Sequence, residues 1–168
     1  NGFSAFRCAP MPPVPTMISV PLMTRKKKKP TYRKRQGITL AEKADRHVLY
    51  EKAVQCVETE VDMVDETFQT LRGRTASTIR EDFCGTANTS CEWVGRRDDN
   101  RAFAVDLDDD VLAWSRLHNI ARLNDSGTGR IMLLREDVLT VQTPAVDMVL
   151  AMNFSYQVFK TRQKLGQY

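Results

Sequence analysis

The most constraining feature of this sequence is the stretch Ala76 to Asp106. It combines a short apolar and acidic run, a glycine turn, a helical segment and a second apolar run ending in aspartate. Thr78-Ile79-Arg80-Glu81-Asp82-Phe83 has strand character and Cys84-Gly85-Thr86 is a tight turn. Ala87 to Val94 carries helical periodicity and is closed by Gly95. A second strand follows over Arg101-Ala102-Phe103-Ala104-Val105-Asp106. Its terminal carboxylate lies about 20 residues past the glycine, where nucleotide-binding βαβ units place a ribose ligand. A nucleoside-containing cofactor is therefore the expectation to test along the rest of the chain.

Charge is unevenly placed. The chain of 168 residues has a net charge of +4, yet eight of its 25 basic residues fall between Arg25 and Arg35. Without that run, the 21 acidic residues outnumber the basic ones, so any nucleic-acid affinity is expected from the tail alone. Residues 1 to 41 contain no acidic residue and most of the prolines, and they are expected to be a disordered tail preceding a domain over 42 to 168. Met23, before the basic run, reads as the initiator, with an organellar transit peptide as the alternative. The four cysteines form no C-x-x-C pair and have no histidine at zinc-ligand spacing, which argues against a metal site and fits a reducing, cytoplasmic compartment. No apolar run is long enough to span a membrane.

From Ala41 the pattern is helical, with Val48, Leu49, Ala53, Cys56 and Val57 on one face. A second helix is predicted from Thr59, capped with Asp62, its buried stripe being Val61, Val64, Phe68 and Leu71, ended by Gly73. Asp108 to Asn119 is a third helical run, with Val111, Leu112, Trp114 and Ser115 near its inner face. Asn124 to Gly129 is a loop by composition, Ile131 to Leu134 a strand, and Ala145 to Met152 another, with a helix beginning near Tyr156. Strands separated by helices imply an α/β, Rossmann-like parallel sheet with flanking helices. Ligands of such sheets bind at the carboxyl ends of the strands, and Glu81, Asp106, Asp137 and Asn153 all fall there.

The chemistry of that rim is acidic. A dinucleotide site needs G-x-G-x-x-G, but Gly85-Thr86-Ala87-Asn88-Thr89-Ser90 has one of the three glycines, and Glu81 and Asp82 before it would repel a diphosphate. Carboxylates there suit a cationic ligand. At this point the chain resembles the class I S-adenosylmethionine-dependent methyltransferases. Their first strand ends in an acid followed by a glycine-bearing turn, commonly D-x-G-C-G-T-G. Glu81-Asp82-Phe83-Cys84-Gly85-Thr86-Ala87 matches at the acid, Cys, Gly and Thr, with Phe83 and Ala87 in place of two family glycines.

The resemblance implies that S-adenosylmethionine is the cofactor and that Glu81, Cys84, Gly85 and Thr86 form its turn. Asp106, in Val105-Asp106-Leu107-Asp108, would accept the ribose hydroxyls. Asp137 would receive the adenine amino group, with the Val138 backbone at the ring edge. Asn153, in Asn153-Phe154-Ser155-Tyr156, would lie near the transferable methyl. Cys84 reads as a small residue filling the turn rather than an activated thiol, and His47 and His118 as packing or surface residues. The family's sheet has seven strands and this sequence reaches the fourth, so a truncated enzyme is expected, its methyl acceptor unidentified. The alternative reading is a non-catalytic interaction module with the basic tail as an RNA- or protein-binding arm.

Overall fold

Alternating apolar strands and amphipathic helices assemble, in the computed structural model, into one parallel sheet with its helices beside it; residues 37 to 168 are described, apart from Phe154. The chain divides into Asn1–Gly37 and a unit spanning Ile38–Tyr168. The expectations about the tail lie outside the described residues. Three helices precede the sheet: α1 (Leu40–Lys43), α2 (Arg46–Val54) and α3 (Val57–Arg72). The core alternation then follows as β1 (Thr78–Asp82), α4 (Asn88–Arg96), β2 (Arg101–Asp106) and α5 (Asp109–His118). After these come α6 (Asp125–Thr128), β3 (Ile131–Arg135), β4 (Met148–Leu150) and α7 (Arg162–Gln167).

The strand order is β3-β2-β1-β4, every pair parallel. From β1 the sheet grows through β2 to β3 and then returns to add β4 on the other side of β1. The order therefore reverses between β1 and β4, and ligands of open α/β sheets bind at such a reversal, beyond the strand carboxyl ends.

Period-two alternation divides the core. Ile79 pairs in register with Ala102, and Glu81 with Ala104 and Leu150, so these side chains share one face. There Ile79, Ala102 and Leu150 meet Val61, Val64 and Phe68 of α3 and Trp93 and Val94 of α4, while Ala104 packs with Cys84, Ala87 and Leu112. The other face carries a smaller cluster, Val105, Val138 and Val141, against which Phe83, Leu134 and Phe159 pack. Polar contacts lock the larger face. Arg97 makes a two-pronged contact to Asp65 of α3 at 2.6 and 2.9 Å, and Arg130 Nη1 donates to the carbonyls of Val94, Arg97 and Asn100.

Several expected boundaries change, each for a local reason. The first helical run breaks at Ala44–Asp45 because Asp45 turns its carboxylate onto the N–H groups of His47 and Val48. No residue of α2 is buried, and Leu49 is 54% exposed, so the predicted apolar stripe there is not a core face. The helix α3 begins at Val57 rather than Thr59, whose hydroxyl instead meets Cys56 Sγ; a capping box forms earlier, between Thr39 and Glu42. Leu71 projects outward at 74% exposure, in the last turn before left-handed Gly73 ends the helix. The loop over 124 to 129 contains α6, capped by Asn124. The last strand is only Met148–Leu150; Asp147 just before it still donates its N–H to the Thr78 carbonyl at 2.9 Å, while its carboxylate accepts the Ser77 and Thr78 N–H groups and pairs with Arg74. Among the described residues, no helix is long and apolar enough to cross a membrane.

Candidate functional site

The strand β1 ends in two carboxylates, and the pleat sends them to opposite faces. Glu81, 3% exposed, turns under α4, where Oε2 accepts the Ser90 N–H at 3.0 Å and the Ser90 hydroxyl at 2.5 Å. It thereby ties the strand end to the first turn of the helix. Burial pushes its carboxyl up to about 7, against the lowering effect of Ser90 and Thr89, and nearby Glu60 pushes the same way. Asp82, 1% exposed, goes to the other face and is ion-paired with Arg80 at 2.9 Å. It also accepts the Tyr168 hydroxyl at 3.0 Å.

The turn that follows has an unusual backbone. Phe83, Gly85 and Ala87 have φ of 58°, 52° and 53°. The two non-glycine residues that stand where the resemblance expects glycine thus hold the left-handed conformation glycine would supply, at a cost of roughly 1–2 kcal/mol each. Cys84 and Thr86, between them, are buried. The Cys84 N–H bonds to the Val105 carbonyl at 2.9 Å, while the Thr86 carbonyl accepts from Asn119 at 3.0 Å. Although Cys84 sits near a helix N-terminus, burial first, then the charges of Glu81 and Asp106, hold its thiol well above the ordinary range. It fills the turn, as expected.

Asp106 joins this turn to the end of β2. Its Oδ2 accepts the Gly85 N–H at 2.8 Å and its Oδ1 accepts the Asp108 N–H at 3.0 Å. A carboxylate offers about four lone-pair sites, so one on each oxygen is left for a ligand. Beside it opens a cavity of about 300 Å³. Asp106, Leu107, Glu136, Asp137 and Val138 line one part of it, from the ends of β2 and β3. Phe83, Leu139, Val158, Phe159 and Lys164 complete the wall. Asp137 is itself fixed, its Oδ1 accepting the Leu139 N–H at 2.9 Å and its carbonyl accepting from Thr140 and Val141. Leu107, 63% exposed, stands at the mouth as an apolar wall rather than a core residue.

The structure thus brings together Asp106, Leu107, Asp137 and Val138 around one cavity, with Gly85 joined to it through Asp106. Cys84 and Thr86 support the turn from within. Glu81 and Asn153 do not line the cavity. Glu81 lies behind α4, and Asn153, left-handed at φ 56°, follows β4 across the order reversal. Sequence reading did not assign Phe83, Phe159, Lys164 or Tyr168 to the site. The last three come from the far end of the chain, and only an aromatic at a glycine position could have flagged Phe83. The expected inner-face Trp114 is half-buried and faces α2 instead: its indole N–H donates to Asp45 at 2.7 Å and its ring stacks on His118 at 4.1 Å.

The donor set suits a nucleoside: acceptor carboxylates at two strand ends for hydroxyl and amino groups, apolar walls for a base, and a volume at the lower end of ligand cavities.

No protein-family model and no curated protein matches the sequence. Solved structures do match. SAM-bound CalS10, an amino pentose methyltransferase from Micromonospora echinaspora, superposes with a TM-score of 0.57 at 15% identity, covering 81% of this chain and 51% of that one. The methyltransferase domain of bacterial CtHen1-CN superposes with a TM-score of 0.52 at 16% identity, covering 67% and 55%. The chain spans about half the length of each of these proteins, and over that span it carries the Rossmann-like α/β fold of these methyltransferases.

Proposed function

We propose that the cavity beside Asp106 binds S-adenosylmethionine and that the chain is the cofactor-binding portion of an enzyme that transfers its methyl group to an acceptor. The observation that carries this reading is the Asp106 carboxylate. It is held at the end of β2 by the Gly85 and Asp108 N–H groups, with Asp137 presented at the next strand end across the same cavity. The fold shared with the two methyltransferases supports the choice of ligand, and the one named by its SAM complex lends the cofactor's identity.

In this reading the cofactor supplies an electrophilic methyl on a sulfonium centre. Asp106 accepts from the ribose hydroxyls through the oxygen sites its backbone partners leave unused. Asp137 accepts the exocyclic amino group of adenine, the Val138 backbone meets the ring edge, and Leu107 and Val138 exclude water from the base. A cavity of about 300 Å³ would take the nucleoside; Gly85 and Asn153, on the order-reversal side, would hold the amino-acid portion. The Asp106 carboxylate, tied to the turn through Gly85, favours that cationic portion. Methyl transfer asks mainly for alignment of nucleophile, methyl and sulfur, so these residues act by binding and orienting rather than by proton transfer.

Calorimetric titration with S-adenosylmethionine tests this. The chain is expected to bind, and Asp106→Asn, which keeps size and one acceptor, is expected to lose at least tenfold in affinity, roughly the 1.4 kcal/mol or more of a charge-assisted hydrogen bond. Equal binding by the two proteins would remove Asp106 from the site.

A further inference from the structure

We propose that the segment Val158–Tyr168 is a ligand-responsive lid over this cavity, latched by Tyr168 onto Asp82 and Phe83. The proposal rests on the nucleoside reading above and names the part of the chain that governs entry to and exit from that site.

Three observations carry it. First, the segment forms wall rather than core. Val158, Phe159 and Lys164 line the cavity, yet α7 has no buried residue. It is a short helix whose own cap, the Thr161 hydroxyl accepting the Lys164 N–H at 3.1 Å, is local. Second, its attachment is confined to the site. Among the described residues, its one hydrogen bond to the sheet is from the Tyr168 hydroxyl to Asp82 at 3.0 Å. Burial first, then Asp82, pushes that phenol up to about 12, so it stays a donor across the physiological range. Its apolar attachment is a single cluster: Phe159 packs at the edge of Val105, Val138 and Val141, and an aromatic trio joins it, Phe83 to Phe159 at 5.9 Å, Phe83 to Tyr168 at 6.0 Å, and Phe159 to Tyr168 at 5.2 Å. A segment held by one hydrogen bond and one cluster opens more readily than the helices packed on the sheet.

Third, the landing surface is a backbone outlier. Phe83 holds φ 58° with a bulky side chain, and strain of this kind persists where surrounding structure over-determines it. Hydrogen bonds from the Cys84 and Gly85 N–H groups to β2 fix the backbone beside it, and its ring is the surface against which Phe159 and Tyr168 rest. Asp82 matches this role. Buried and paired with Arg80, it is a fixed acceptor for the latch rather than a ligand for the cofactor. A nucleoside in the cavity would touch both the strand ends and Phe159, so occupancy and closure favour each other.

Limited trypsin digestion of the full chain reads the lid directly, because Lys160, Arg162 and Lys164 lie in it. Without ligand, Tyr168→Phe, which keeps the ring and removes the hydrogen bond, is expected to speed cleavage at these sites at least threefold while cleavage at Arg96 and Arg101 stays unchanged. With saturating S-adenosylhomocysteine, cleavage of the natural chain in the segment is expected to slow at least fivefold. Phe83→Gly, which relieves the backbone and removes the landing surface, is expected to lose that protection. An unchanged rate for Tyr168→Phe without ligand would overturn the latch. Calorimetric binding of S-adenosylhomocysteine with no protection of the segment would overturn the lid and leave the nucleoside site standing. Absence of any binding heat would overturn both.

Discussion

The two faces of the sheet are built differently. The face toward α3, α4 and α5 is closely packed: Ile79, Trp93, Val94, Ala104 and Leu112 show no exposure, and its buried carboxyl, Glu81, holds Ser90 through Oε2. The opposite face has three buried valines, a cavity and a segment held by aromatic edges. Two adjacent carboxylates at the end of one strand show what the difference does. Glu81 secures the helix that positions the glycine turn, whereas Asp82 anchors the movable wall of the cavity. Rigidity on one side and access on the other are what a ligand site at a strand-order reversal requires.

Truncating one large side chain on each face should separate them most. Trp93→Ala is expected to cost about 3–5 kcal/mol in urea unfolding, because its side chain is fully buried beneath α4. Phe159→Ala, half-buried on the open face, is expected to cost about 1 kcal/mol. Comparable losses would mean that the open face is as tightly built as the other.

Asp147 couples β4 to β1 through the Ser77 and Thr78 N–H groups and Arg74, and these partners, Arg74 first, hold its carboxyl well below the usual range. With the folded-state pKa depressed, its stabilisation is fully present above the unfolded value near 3.8 and is lost as pH falls below it. Asp147→Ala is expected to cost about 2 kcal/mol at pH 7, and less at pH 2, by denaturant melts at both values.

Glu81 has the opposite sign. Raised to about 7 by burial, its carboxyl stays protonated in the folded chain over a range where the unfolded chain has lost the proton. Stability is therefore fully present below about pH 4.5 and declines as pH rises toward 7. Glu81→Gln keeps an acceptor for Ser90 and should flatten that decline, gaining about 1 kcal/mol over the natural chain at pH 8. An unchanged pH profile would show that Glu81 is ionised in place. The smallest effect is expected at the turn. Ala87→Gly relieves φ 53° but gives up a buried methyl and adds unfolded-state freedom. Unfolding measurements should find it within about 0.5 kcal/mol of neutral, which explains how alanine can occupy a left-handed position.

Where the determinants are local, the sequence already carried the answer. The bounds of β2, an aspartate at the start of α5 and the carboxylate at Asp106 follow from alternation, capping chemistry and spacing, while the choice of Asp108 over Asp109 as the cap is settled by its contacts to the Asp110 and Val111 N–H groups. The α2 stripe misled because helical period says nothing about whether a partner surface exists, and this helix is held by polar contacts, Asp45 to Trp114 and Glu51 to Asn119. Left-handed Phe83 and Ala87 are not signalled by their residue types; only the glycines that the resemblance expects at those positions point to that conformation. The distal wall was illegible for a different reason: Phe159, Lys164 and Tyr168 reach the site only through tertiary packing, far along the chain from Phe83.

The central claim is that a nucleoside cofactor sits at the ends of β1, β2 and β3. Backbone amide chemical shifts during titration with S-adenosylhomocysteine locate it most directly. The amides of Gly85, Leu107 and Val138 are expected to move together and saturate at one ligand concentration, while those of Gln69 and Thr75, which line a separate polar hollow with Arg97, stay in place. Shifts at Gln69 and Thr75 with Gly85, Leu107 and Val138 unmoved would contradict it.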